Sequence, residues 1–595
     1  MHIDEKFKDA RPADTIACIR NILSELGIEL VEDWLDTGLE HCFALNVREK
    51  GGFLFANGKG VTRELALCSA YGEFIERLQC GLFFYKFRTL EDDPVLSIHS
   101  YAPDVRYIRK EDLLHDSEWM EPICETYGVS KETVANLCQM YANSENILTL
   151  PYYDIFAEKS VYLPAAFVEH IYCTNGCCAG NTKEEAWIHA LSEMMERHCC
   201  IKMMCNDKAL PAIPEETLSR FSKVRRILEQ VREQGDFTVE VLDCSHGMGY
   251  PVIATRIINK KTHRYVVNPA ADPILEIAIE RSMTELFQGR TLTRLGMTAN
   301  ETILSHAGDM DKELNVFNQL ETAQGACNAA FFTNSQVSCG EFPDYSGLNN
   351  QELLKKVLEF YRNLGLRVYV RNCSYLGFPC YFFLVPGFSE GRGLSIPKAT
   401  QNYSFGCLSA KALRNLRNAD ELSLQDVLLH HKLLKGSNSR EYNFSFLAGL
   451  PLRHVDLRML TGIHYAYAAW RLKRHKEVQG YLKLAKTACP DEATADYLEC
   501  IRQYLRFTAE GISESDTLTL LRRFFVEEPV SKLQESLAKY GDVFGDLLFT
   551  CDMPNCEGCP HREQCYVPQC KHTISKAGER FRQFTDGQNP NHFRY

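Results

Sequence analysis

Three widely separated stretches of the sequence share one spacing: alanine, six residues, glutamate, two residues, then glutamate or glutamine. They read "ALCSAYGEFIER" from Ala66, "AWIHALSEMMER" from Ala186 and "AIERSMTELFQ" from Ala278. The first two agree further, with Thr62, Glu64, Ala66, Ala70, Glu73, Glu76 and Arg77 falling on Thr182, Glu184, Ala186, Ala190, Glu193, Glu196 and Arg197. In the third, Glu285 and Gln288 take the two acidic positions. At helical periodicity Ala66, Ser69, Glu73, Glu76 and Arg77 share one face, while Leu67, Ala70, Tyr71, Phe74, Ile75 and Leu78 form the other.

An amphipathic helix ordinarily turns its polar face to water, and a single Glu-x-x-Glu would be read that way. Two features favour another arrangement: the small residues Ala66 and Ser69 leave room for something to approach, and the same face recurs far along the chain. If the faces converge, carboxylates meet carboxylates. Two such charges about 4 Å apart repel by roughly 4 kcal/mol at an effective dielectric near 20. Bound cations would make the cluster tolerable, and magnesium fits, because it takes oxygen ligands and shares its shell with water and phosphate. The pattern therefore points to a nucleotide site in which acidic side chains hold ions and the ions hold a triphosphate. Arg77, Arg197 and Arg281 lie on or beside these faces, placed either to grip phosphate or to neutralise their acidic neighbours. "NGKGVT" at 57–62 and "TNGCCAGNT" at 174–182 lead into the first two helices. Neither has P-loop spacing, but each offers backbone N–H groups at a helix start.

At 595 residues the chain has length for about four domains. No apolar run is long enough to span a membrane, and the polar start "MHIDEKFKDARPADT" does not suit a signal peptide, so a cytoplasmic location without membrane attachment is expected. A formal net charge of -12 argues against a partner nucleic acid held by phosphate neutralisation. The 25 cysteines, in a chain without an export signal, suggest reduced thiols or metal ligation rather than a disulfide scaffold.

Strand patterns at 42–47, 237–244, 250–258, 366–373 and 379–387 alternate with helical runs such as 214–234, which predicts an α+β (mixed α/β) fold. Strand signals stop near 405, and 455–545 reads as wholly helical, as one helical-hairpin repeat or an ordinary pair of amphipathic helices. The tail gathers Cys551, Cys556, Cys559, Cys565 and Cys570 among Pro and Gly turns, a pattern suited to zinc or an iron–sulfur cluster, with His561 and His572 as further zinc ligands. Free surface thiols or a redox pair are the alternatives.

"NGKGVTRELALCSAYGEFIERL", "NGCCAGNTKEEAWIHALSEMMERH" and "AIERSMTELFQGR" resemble, in order and spacing, the core motifs of the YcaO family, and the likeness runs more thinly to about residue 510. The helical extension resembles that of the long enterobacterial members, which carry a tetratricopeptide-like domain after the core. The resemblance implies a YcaO-type core of sheets and helices with an all-α C-terminal domain: an ATP-binding core over 1–430 and a tetratricopeptide-like domain over 431–545; the Cys-rich tail over 546–595, a candidate metal-binding segment by its cysteine spacing, is outside the resemblance. The resemblance further implies ATP with magnesium ions held by Glu73, Glu76, Glu193, Glu196 and Glu285. Nucleotide contacts would come from Ser69, Asn181, Arg197, Arg281 and Gln288, with Glu185 and Lys59. The segment "KDARPADT" is similar to one that borders the nucleotide in the family, which adds Lys8 and Thr15. Cys178 stands where the family relative has a serine in contact with the nucleotide.

Peptide-modifying members use ATP to phosphorylate a backbone amide oxygen, giving azolines, amidines or thioamides. Azoline-forming members end in a proline-rich tail, whereas this sequence ends "DGQNPNHFRY". With the helical extension, this points to the branch linked to β-methylthiolation of a small-subunit ribosomal protein by the radical enzyme RimO. The implied function is ATP- and magnesium-dependent activation of a peptide or protein amide by phosphorylation, or assistance to ribosomal protein β-methylthiolation. An accessory, partner-recruiting ATP binder with little turnover and a peptide thioamidation factor are the alternatives. The implied partners are a peptide or protein substrate, RimO or a sulfur-transfer protein, and a second copy in a homodimer.

Overall fold

The computed structural model describes residues 8–52, 54–84, 101–115, 118–139, 146–206, 208–288, 291, 312–323, 325–391, 412–433, 457–548, 556–559 and 562–584. Internal contacts divide the chain into two compact units, one of residues 1–85, 97–399 and 573–595, the other of 86–96 and 400–572.

The first unit is α+β, with helices and three antiparallel sheets. One sheet is ordered β1 (Leu30–Leu35), β2 (Phe43–Glu49), β3 (Phe55–Gly60). A six-stranded sheet contains β4 (Arg106–Arg109), β5 (Asn146–Asp154), β6 (Lys159–Pro164), β7 (Cys177–Ala179), β11 (Tyr369–Asn372) and β12 (Cys380–Leu384). Its order is β4-β5-β11-β12-β7, with β6 also on β5. The third sheet joins β8 (Phe237–Asp243), β9 (Val252–Asn259) and β10 (Arg264–Ala271) as β10-β9-β8. Every strand pattern expected from sequence coincides with a strand here: β2, β8, β9, β11 and β12.

Helix α1 (Pro12–Glu25) precedes the first sheet. The three acid-bearing stretches form α2 (Arg63–Gln79), α3 (Lys183–Cys205) and α4 (Leu275–Leu286), with Gln288 just past the end of α4. Each follows directly on the end of a strand from a different sheet: β3 leads into α2, β7 into α3 and β10 into α4. The helix starts are built alike. Thr62 and Thr182 cap the first two, their hydroxyls accepting the N–H groups of Leu65 and Glu185, both at 3.2 Å. Before α4, the Asp272 carboxylate accepts the Ile274 N–H at 2.9 Å.

The glycines before α2 and α3 serve close packing of strand on helix. A Cβ on Gly58 would lie 2.2 Å from the Ala66 carbonyl, one on Gly60 2.6 Å from the Ala66 nitrogen, and one on Gly180 2.7 Å from the Ala186 nitrogen. The room left by Ala66 and Ala186 is thus taken by backbone, and the anchoring repeats in both motifs. Replacing Gly180 by alanine is expected to cost about 1–3 kcal/mol, because the new methyl meets backbone that cannot rotate away. It should lower the denaturant midpoint at unchanged slope; a midpoint equal to that of the unaltered protein would mean that this contact does not seat the helix.

Burial then decides which face of α3 remains for chemistry. Trp187 inserts edge-on against Tyr381 and Phe383 of β12, at centroid distances of 5.8 and 5.0 Å, and Ala190, Leu191, Met194 and Met195 are wholly buried around it. With those positions committed to the core, Glu193, Glu196 and Arg197 are left on the free stripe.

The second unit is helical where described. After a helix at Glu421–Leu433 come α5 (Leu457–Arg471), α6 (His475–Thr487), α7 (Glu492–Ala509), α8 (Glu514–Leu521) and α9 (Glu527–Tyr540), joined by short turns. Gly462 lets α5 approach α6: a Cβ there would sit 2.8 Å from the Tyr481 carbonyl and from the Ala485 methyl. Leu460, Tyr465, Leu482, Leu498, Ile501 and Val530 are buried in the common core. Among the described residues no helix is long and apolar enough to cross a membrane.

Candidate functional site

Strand β3 explains how α2 and α4 come together. Successive side chains of a strand point to opposite faces, so Gly58 and Gly60 pack on α2 while Lys59, between them, reaches α4. Its ammonium pairs with Glu285 and donates to the Gln288 side chain at 3.0 Å. From α3, the Glu196 carboxylate accepts the Ala271 N–H at the end of β10 at 3.3 Å and stands 4.0 Å from Arg281 of α4. Arg77 pairs with Glu73 at 2.5 Å and Arg197 with Glu193 at 3.5 Å, each across one helical turn, and Arg197 also donates to the Leu320 carbonyl at 3.0 Å.

The N-terminal segment docks at the start of α3. Lys8 and the Asp9 N–H donate to the two Glu185 oxygens at 3.0 and 3.1 Å, Asn181 donates to Glu185 at 3.0 Å, and the Thr15 hydroxyl donates to Asn181 at 2.6 Å. Lys8, Thr15, Asn181 and Glu185 therefore form one hydrogen-bonded group.

Electrostatics ties the three helices together. Burial, then Cys80, Glu193 and Glu73, push the Glu76 carboxyl well above the usual carboxylate range. Glu193 is raised by burial against the pull of Arg197, Arg281 and Lys59. Glu196 is raised to about 7, by burial first and then by Glu285. Burial would lower Arg281, but Glu196, Glu285 and Asp272 outweigh it and hold the guanidinium charged. Glu76 of α2 thus feels Glu193 of α3, which in turn feels Glu285 of α4. Burial dominates the shifts of Glu76, Glu193 and Glu196, yet Glu285 keeps 10% and Arg281 21% of its side-chain surface, so the group is within reach of solvent. The acidic faces do not look into bulk water.

Ser69 lies half-buried one turn before Glu73 on the same face of α2. Cys178 is wholly buried, its thiol donating to the Tyr381 carbonyl at 3.4 Å, and Glu76 and Glu193 are among the groups that raise it after burial. Two residues of the cleft escaped the sequence reading. Asp272 is raised to about 6 by burial, with Arg281 opposing. His189 is lowered well below the ordinary histidine range by burial, then by Arg281, Lys8 and Lys59. The helical repeat itself was the signal that could have found His189.

The donor set fits hard cations with an anionic partner. The Glu76 carboxylate has no hydrogen bond or ion pair among the described residues, and its neighbours of like charge leave it short of positive charge. Among the described residues no three His, Cys, Asp or Glu side chains stand close enough to enclose a metal ion by themselves. Oxygen ligands spread over three helices suit ions that complete their shells with phosphate and water. In the tail, Cys556 and Cys559 are half-buried in one turn, Cys565 packs on the helical core and Cys570 is buried. Cys551 and His561 lie outside the described residues.

Residues 57–389, more than half of the chain, match the family model described as YcaO cyclodehydratase, ATP- and Mg2+-binding. An uncharacterized protein of Haemophilus influenzae is 29% identical over 392 residues, covering 64% of this chain and 65% of the relative. The ribosomal protein S12 methylthiotransferase accessory factor YcaO of Escherichia coli is 28% identical over 401 residues, covering 64% and 66%. The chain thus spans just under two thirds of the length of these curated relatives. Among solved structures, a heterocyclase in complex with substrate and cofactor aligns with TM-score 0.42 at 17% identity, over 66% of this chain and 54% of that one. YcaO from Methanopyrus kandleri bound with AMPPCP and Mg2+ aligns with TM-score 0.40 at 19% identity, over 64% and 92%.

Proposed function

The chain belongs to the YcaO family, and on that premise we propose that it binds ATP with magnesium between α2, α3 and α4 and uses it to activate a backbone amide of a peptide or protein. One observation carries the reading: glutamates of three helices act on one another, and burial together with that repulsion makes Glu76, Glu193 and Glu196 hold their protons more tightly than free carboxylates do, a cost that bound cations would relieve. Glu73, Glu76, Glu193, Glu196 and Glu285 would hold the magnesium ions. Ser69, Asn181, Arg197, Arg281 and Gln288, with Lys8, Thr15 and Lys59, would line the nucleotide, and Glu185 would orient Lys8 through the 3.0 Å pair described above. When bound, the nucleotide supplies a phosphoryl group and the metal offsets its charge, which makes an amide oxygen a better leaving group.

The chain's own residues account for the rest. Lys59 and Arg281, fixed by Glu285 and Glu196, are preorganised cations that need little rearrangement as phosphate charge shifts. Seating α2 and α3 on strand backbone holds their carboxylates on rigid elements.

A second reading is favoured by the name of the Escherichia coli relative: an ATP-bound accessory factor whose helical unit, of tetratricopeptide-like kind, recruits a methylthiotransferase such as RimO or a sulfur-transfer protein. The two differ in turnover. ADP release by the full chain is expected to rise at least about tenfold when its peptide or ribosomal-protein substrate is present. Slow release indifferent to every candidate peptide and to the S12 protein would reject catalysis in favour of the accessory role.

A further inference from the structure

The helix repeat has one more shared position, four residues before the first glutamate of each motif. Ser69 holds it before Glu73, His189 before Glu193 and Arg281 before Glu285. Residues four apart are neighbours on one helix face, so all three stand one turn from a cleft carboxylate. Two of them are in the nucleotide set proposed above; the third has no assigned task.

Glu185, one turn before His189 on α3, holds Lys8 of the N-terminal segment at 3.0 Å, and Glu196, two turns after it, stands 4.0 Å from Arg281 of α4, so cations flank the ring along its helix face; Lys8, Arg281 and Lys59 of β3 all act on it. Its ring makes no hydrogen bond among the described residues, although it is only half-buried. Such a convergence of cations attracts a polyanion. An uncharged imidazole there keeps one N–H donor, and an anion between the cations is the natural acceptor for it.

We infer that His189 is a positioning residue of this cleft, donating a ring N–H to the polyphosphate drawn in by Lys8, Lys59 and Arg281. The inference rests on the ATP reading above and adds to it one contact. His189 would fix where the phosphate chain lies along α3, between the Lys8–Glu185 pair and the carboxylates of Glu193 and Glu196.

The test uses the full chain and two variants. His189→Leu keeps bulk and removes the donor; His189→Gln restores an N–H. Binding is measured calorimetrically with magnesium and ATP, and separately with magnesium and inorganic tripolyphosphate, alongside thermal melting. His189→Leu should weaken both ligands about tenfold, and His189→Gln should return both to within about threefold of the unaltered chain. Equal affinities for the leucine variant and the unaltered chain overturn the inference. So does a loss confined to ATP, which would place the contact on the nucleoside, or a glutamine variant no better than leucine, which would leave only packing. If the unaltered chain binds neither ligand, the ATP reading itself fails and takes the inference with it.

Discussion

Glu193→Ala is expected to weaken magnesium-dependent ATP binding by at least about 100-fold while leaving the ligand-free protein as stable as before, or more so. The two halves of this result share one cause. Glu193 stands between the other helices' acids: Glu76 is raised partly by it, and it is itself raised by burial, with Glu285 adding to the effect. Without ligand, its removal relieves repulsion on Glu76 and Glu196 and the cost of its own burial, while Arg197, which loses a 3.5 Å partner, keeps its hydrogen bond to the Leu320 carbonyl. With ligand, a buried oxygen donor to a divalent ion is gone, and losing a buried charge partner costs about 3–5 kcal/mol, which corresponds to 100-fold or more. Calorimetric titration with and without magnesium measures the first half and a denaturant midpoint the second. Unchanged affinity would show that the cleft is not where the ions sit.

The three acidic helices were legible in the sequence because their function rests on a periodic face, and periodicity survives in a one-dimensional string. Glu73, Glu76, Glu193, Glu196 and Glu285 could be named from spacing and chemistry, and in the structure Glu76, Glu193, Glu196 and Glu285 act on one another across three helices. The role of the small residues was not legible. Ala66 and Ala186 look the same whether they make way for a ligand or a strand, and only the positions of Gly58, Gly60 and Gly180 decide for the strand. Asp272 was hidden for a related reason: it stands in a turn, outside any repeat, and meets Arg281 only because β10 delivers it to the start of α4. Strand β10 itself was missed, since "RYVVNPAA" carries Asn and Pro in its middle and gains its strand character from pairing with β9 along its whole length. Lys59 was recruited only by resemblance; its partner Glu285, far along the chain, follows from the two-faced geometry of β3.

The site should also make stability and ligand affinity run in opposite directions with pH. Glu196, raised from 4.5 to about 7, binds its proton more tightly in the folded chain than in the unfolded one. Its contribution is therefore fully present below about pH 4.5 and is lost as pH rises through about 7, a change on the order of 1–3 kcal/mol. Glu76 and Glu193 act in the same sense. Measured as the difference between the unaltered protein and Glu196→Gln, which isolates this group from all others, the stability of the unaltered protein should fall relative to the variant as pH rises from 5 to 8. Magnesium and ATP need the carboxylates ionised, so affinity must strengthen over the same interval. With at least two such groups to deprotonate, binding should weaken by about 100-fold or more between pH 7.5 and 5.5, at roughly tenfold per group per unit below its folded value. The Glu196→Gln variant should bind more weakly at pH 7.5 but lose about tenfold less on acidification. Parallel affinity curves for the two proteins would mean that Glu196 does not give up its proton to a bound cation, and the cleft would then be holding its ligand by Lys8, Lys59 and the arginines alone.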